Sequence, residues 1–147
     1  MPFRLIVPQQ IYAEMVAQAI AELPNECCGL LAGTVEACSD PTAATLPIAR
    51  VVRRYPLIND AKSGIEFISQ PESMFAAMRD MRKHSLDTLA VYHSHPTSLP
   101  IPSKTDLARN YSPDVMNLIV SLLARPPLVR AWWLTDVDFR EAEWVVE

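Results

Sequence analysis

Residues 91–106 read VYHSHPTSLPIPSKTD, and both the fold and the chemistry of the chain turn on this stretch. It holds two of the three histidines, His93 and His95, one residue apart, with Asp106 eleven positions beyond the second. On an extended backbone the two imidazoles share a face, with Cα atoms about 6.5–7 Å apart, so both can reach one metal ion. Pro96, Pro100 and Pro102 stiffen the loop that follows, and Ser103-Lys104-Thr105-Asp106 has the form of a helix N-terminus. A ten-residue loop lets the chain turn back and present Asp106 to the same ion. Two nitrogens and one oxygen around zinc leave the fourth tetrahedral position for water, the arrangement of a catalytic site. The spacing leaves two other readings open. Asp106 can serve only as a helix cap beside incidental histidines, or Cys27 and Cys28 can join the histidines in a closed structural site. The second is opposed by the opposite directions in which strand neighbours point.

Working outward, residues 88–93 read as the strand that delivers the histidines, and 103–111 as a short helix. Residues 116–123, 129–134 and 139–146 follow as strands, the last closing the sheet. Upstream, 3–7 is a short strand, and Pro8 opens a helix to about Leu23 with Ile11, Met15, Ala19 and Leu23 on one face. Cys28–Val35 is a nearly unbroken apolar run suited to a buried central strand, in which Gly29 and Gly33 mark close backbone approach. Residues 43–58 make one or two strands interrupted by Pro47 and Pro56. Pro71 stands near the start of a second helix whose Met74, Met78 and Met81 form a core stripe, with His84 in its last turn. Trp132 and Trp133 point to opposite faces of their strand, one into the core and the other free to cover a helix or a homodimer interface. This order predicts an α/β (α+β) fold, a mixed β-sheet flanked by helices, in one domain over residues 1–147.

Composition narrows the function classes. The 147 residues are 50% apolar and 20% charged, a globular balance, and the formal net charge of −4 gives no field that would gather nucleic acid. Arg50, Arg53 and Arg54 are the one basic cluster, expected on the solvated side of a strand. No apolar run approaches the roughly 20 residues of a membrane span, and MPFRLIVPQQ lacks a signal-peptide core, so a cytoplasmic protein without a membrane partner is expected. Cys27, Cys28 and Cys38 are odd in number and read as buried thiols in a reducing compartment.

The segment HSHPTSLPIPSKTD resembles, position for position, the His-x-His-Pro-x6-Ser-x2-Asp signature of the JAMM (MPN-plus, Mov34/MPN/PAD-1) zinc metalloproteases. NECCGLLAG, residues 25–33, is similar to the segment that carries their upstream glutamate. Asn59 and residues 67–71 resemble the small prokaryotic branch. The resemblance implies a fold related to the cytidine deaminases, although the Pro-Cys-x-x-Cys element of those enzymes is absent here. It also implies one Zn2+ per chain held by His93, His95 and Asp106, Glu26 as general base, and Ser103 as a donor to the developing oxyanion. The same hydroxyl as a helix cap would compete with that role. The implied activity is peptidase or isopeptidase cleavage after the C-terminal Gly-Gly of a ubiquitin-like β-grasp sulfur-carrier protein. Two alternatives are a non-catalytic MPN scaffold and a zinc peptidase acting on other peptides, such as cell-wall stem peptides.

Overall fold

The computed structural model describes residues 2–37 and 45–147. Cys38 and the start of the expected strand at 43 lie outside the described residues. Arg4–Val7 forms β1 and Gln9–Ala21 forms α1, while Cys28–Val35 is β2 and Ile48–Leu57 is β3. Pro71–Lys83 is α2, Asp87–His95 is β4 and Lys104–Ala108 is α3; Met116–Ser121, Leu128–Leu134, Phe139–Glu141 and Trp144–Val146 are β5 to β8. The strands make one mixed sheet in the order β7-β6-β5-β4-β2-β3-β1-β8. β4 and β5 are parallel, as are β1 and β3 and β1 and β8, and the remaining neighbours are antiparallel. The α/β class, with a mixed sheet between helices, is as the sequence predicts.

Alternation assigns each face. Ile11, Met15 and Ala19 of α1 pack with Leu31, Tyr92, Leu118 and Val120 on one side of the sheet. On the other, Ala77 and Met81 of α2 pack with Cys28, Leu30 and Val91, and Met74 and Met78 join them half-buried, so the methionine stripe is core. α3 adds Leu107 to Ile119, Trp132 and Leu134 on that second side. Gly29 is required by a close approach: any Cβ there would run into the ring of Tyr92, which crosses β2 from β4.

Four expectations change. First, residues 139–146 are two strands at opposite edges of the sheet. Ala142 N–H donates to Ala131 of β6, while Glu143 O accepts from Leu5 of β1. The chain passes from one edge to the other within two residues, so the sheet curls until its edges meet. Second, β4 runs on through His95, placing both histidines within a strand. Third, β3 is one strand that tolerates Pro56 because β1 pairs only with residues 48–50, leaving the far end of β3 an edge where a missing donor costs nothing. Fourth, the arginines do not all lie on one solvated side of their strand. Neighbours in a strand face opposite ways, so Arg53 bonds Asp80 of α2 while half-buried Arg54 bonds Glu14 and Gln18 of α1 and the Tyr92 hydroxyl. Arg50 pairs with Glu36.

Trp132 and Trp133 do face opposite sides. Trp132 is buried, and Trp133 sits edge-on to Phe3 with ring centroids 5.0 Å apart. Cys27 and Cys28 are buried free thiols, pushed up to about 11 and about 12 by burial. Among the described residues no helix is long and apolar enough to cross a membrane.

Candidate metal centre

The end of β4 puts His93 and His95 on the side of the sheet covered by α2 and α3. The first turn of α3 brings Asp106 against them. His93 Nε2, His95 Nε2 and Asp106 Oδ2 lie at the corners of a triangle, each separation 3.2 Å. Three ligands about 2.0–2.1 Å from a tetrahedral zinc ion would stand about 3.3–3.4 Å apart, so the triangle fits such an ion held on one side. The side chains are 1%, 5% and 9% exposed as residues, and the three form a group able to hold a metal.

The surroundings orient these atoms. The Leu99 carbonyl can only accept, so His95 Nδ1, 2.8 Å away, carries the proton and its Nε2 lone pair is turned to the triangle. Phe67 stacks on the His93 ring with centroids 4.7 Å apart. Burial alone would lower the pKa of His95, but its bonds to Asp106 and Leu99 outweigh that and raise it. Burial likewise works to raise Asp106, yet the histidine partners and the Ser103 N–H hold it well below the usual carboxylate range.

The loop between the histidines and Asp106 is a strap tied by three consecutive carbonyls. Ser98 O accepts from Ser121 Oγ at 2.6 Å, Leu99 O from His95, and Pro100 O from Trp132 Nε1 at 2.9 Å. Sequence reasoning credits the prolines with the stiffness and misses Ser121 and Trp132, whose side chains come from β5 and β6. Their signal was a polar group within a buried strand, which must find a partner.

Glu26 stands two residues before Cys28, on the same face by alternation, and Cys28 pairs with His93 across the β2–β4 ladder. The structure therefore brings Glu26 to the triad's side of the sheet. It is 2% exposed, and its Oε1 has no hydrogen-bond partner among the described residues. Burial chiefly raises its pKa to about 7, with the charge of His95 opposing and those of Asp106 and Glu66 adding. Asn59 fixes the backbone here: its Nδ2 donates to Glu26 O and Glu66 O, and its Oδ1 accepts from Ala61 and Ile68. In the sequence Asn59 stood out only by its resemblance to the prokaryotic branch, which did not assign it this clamp.

Ser103 caps α3. Asp106 N–H donates to Ser103 Oγ at 3.1 Å, and Ser103 N–H donates to Asp106 Oδ2 at 2.9 Å, a reciprocal capping box. The expected conflict between capping and donating does not arise, because the cap uses a lone pair of Oγ and leaves the hydroxyl proton available.

Residues 8–135 match the family described as prokaryotic homologs of the JAB domain. The chain is 28% identical over 144 residues to a desampylase of Pyrococcus furiosus, covering 97% of this chain and 91% of that protein. It is 27% identical over 117 residues to the CysO-cysteine peptidase of Mycobacterium tuberculosis, covering 80% and 73%. The solution structure of a Desulfitobacterium hafniense protein superposes with a TM-score of 0.81 at 30% identity, over 97% of this chain and 92% of that one.

Proposed function

The chain belongs to the family of prokaryotic homologs of the JAB domain, and on that premise we propose that it is a zinc-dependent metallopeptidase. Its substrate is a ubiquitin-like β-grasp sulfur carrier, alone or conjugated, cut after the carrier's C-terminal Gly-Gly. The observation that carries this reading is the 3.2 Å triangle of His93, His95 and Asp106 on the same side of the sheet as a buried carboxylate, Glu26, with an unpartnered oxygen. The desampylase and CysO-cysteine peptidase relatives support the substrate class. A scaffold would have no use for three converging donor atoms beside a buried acid that costs stability.

Zinc would be held by His93, His95 and Asp106, and when bound it polarises the scissile carbonyl and makes water acidic enough to attack near neutral pH. Glu26 takes the proton from the attacking water and returns it to the leaving amine. Burial raises this carboxyl in the metal-free fold, and a carboxylate held on this side of the sheet is the kind of base that both proton transfers need. Ser103 Oγ–H is the donor offered to the carbonyl oxygen as negative charge grows there, while its lone pair keeps holding Asp106 N–H. The Leu99 carbonyl keeps His95 in one tautomer throughout.

Two glycines without Cβ let the substrate backbone pass close to these groups. The test is a carrier ending in Gly-Gly-X, incubated with zinc-loaded protein and examined by mass spectrometry. Cleavage after the second glycine is expected, slowed at least ~100-fold, about 2.7 kcal/mol, when that glycine is changed to valine. Cutting at another bond, or equal cutting of the valine carrier, removes the sulfur-carrier reading.

A further inference from the structure

Beside the triangle lies a cavity of about 150 Å3. Phe67, Met74 and Val91 line it together with His93 and Asp106, and Arg109 is the one Lys or Arg side chain among its lining residues. A void of roughly this size accommodates one benzene-sized group, which suits a single side chain rather than a folded partner. Arg109 follows Asp106 by three residues, about one helical turn, so α3 and its end present both to the same region. The only ion-pair partner of Arg109 among the described residues is Glu66, through one contact of 3.2 Å between side chains 48% and 37% exposed. A single contact that open to water is weak and readily exchanged.

A carrier ending in Gly-Gly has no side chain to put into this cavity. A side-chain-sized space next to two of the three metal ligands is therefore of use to the residue on the far side of the scissile bond. We propose that the cavity holds the residue released with the new amine, and that Arg109 exchanges Glu66 for the free α-carboxylate of that residue. This inference rests on the cleavage after Gly-Gly set out above. The substrate class is then a carrier bearing one terminal amino acid: water adds hydroxyl to the glycine carbonyl carbon and a proton to the departing nitrogen, and the amino acid leaves with its carboxylate on Arg109. A guanidinium meets a carboxylate through two parallel hydrogen bonds, which the present contact with Glu66 does not use.

The test compares two carriers, one ending in Gly-Gly-Ala with a free carboxylate and one ending in Gly-Gly-Ala carboxamide, on zinc-loaded protein. The wild type is expected to cut the acid with kcat/KM about 10-fold or more above the amide, the scale of one charge-assisted hydrogen bond. In Arg109→Gln the ratio should fall to near one, and in Glu66→Gln, where Arg109 loses its competitor, it should be kept or increased. Affinities of the two carriers for Glu26→Gln, whose turnover is slow enough for binding to be read first, should show the same preference. Equal rates for acid and amide in the wild type, or an undiminished ratio in Arg109→Gln, overturn the inference while leaving the cleavage reading intact. Failure to cut either carrier after Gly-Gly removes both.

Discussion

Ser94 and Cys27 are tied twice: Cys27 N–H donates to Ser94 Oγ at 2.8 Å, and Ser94 N–H donates to the Cys27 carbonyl at 3.1 Å. The clamp extends the β2–β4 pairing one residue past Cys28 and His93, so Glu26 leaves the ladder at a fixed point on the triad's side. Ser94, between the two histidines, points to the opposite face and is fully buried. Ser94→Ala would strand a buried N–H, at a cost of about 1–3 kcal/mol in stability. Turnover should fall about 10-fold with zinc content unchanged, read by thermal melting, elemental analysis and carrier cleavage. Wild-type turnover in this variant would mean that Glu26 is held by other contacts.

About one zinc per chain is expected in the purified protein, because the described residues converge three donors at one place. His95→Ala removes one corner of the triangle and should lose the metal. Elemental analysis of wild type and variant side by side checks this, and equal zinc in both would displace the site.

Glu26→Gln should keep its zinc and lose about 10²–10⁴-fold in turnover, since it removes proton transfer and leaves the triangle alone. It should also stabilise the metal-free fold in a pH-dependent way. The folded pKa of Glu26, about 7, lies above its ordinary value of 4.5. Between those values the unfolded chain binds fewer protons than the folded one, so the wild type loses stability as pH rises through that window. The advantage of Glu26→Gln, read by denaturant titration with chelator present, should therefore grow from pH 4 to pH 8 by on the order of 2–3 kcal/mol. A constant or shrinking difference would contradict the burial argument.

Trp132→Phe keeps the ring in the core and removes the donor to Pro100 O. The strap that presents Asp106 then loses one of its three carbonyl ties. Zinc affinity should weaken about 10-fold, within the range for groups that support metal ligands, and competition against a chromophoric chelator measures it. An unchanged affinity would show that the ties through Ser121 and His95 suffice.

Much of this was legible along the chain. His93 and His95 are two apart, and period-two alternation put them on one face wherever that strand lay. The apolar spacing of α1, the methionines of α2 and the run from Cys28 to Val35 are local patterns, and each became the expected element. Residues 139–146 show the limit. They read as one closing strand, yet the sequence said nothing about which neighbour each half would join, and the chain crosses from β6 to β1 in the middle.

By itself the sequence determined which residues can ligate, which faces are apolar, and that Ser103 and Asp106 meet as a helix cap, because spacing over a few residues sets all of these. Only the tertiary structure decided what comes together from afar. Cys27 and Ser94 are 67 residues apart, and their clamp, which fixes Glu26 beside the triad, follows from the pairing of β2 with β4. The same holds for Trp132 on Pro100 and for Glu66 on Arg109. A side chain's direction is fixed by its own backbone, but its partner is fixed by which distant strand or loop the whole core brings alongside, and that information is spread over every residue the core buries.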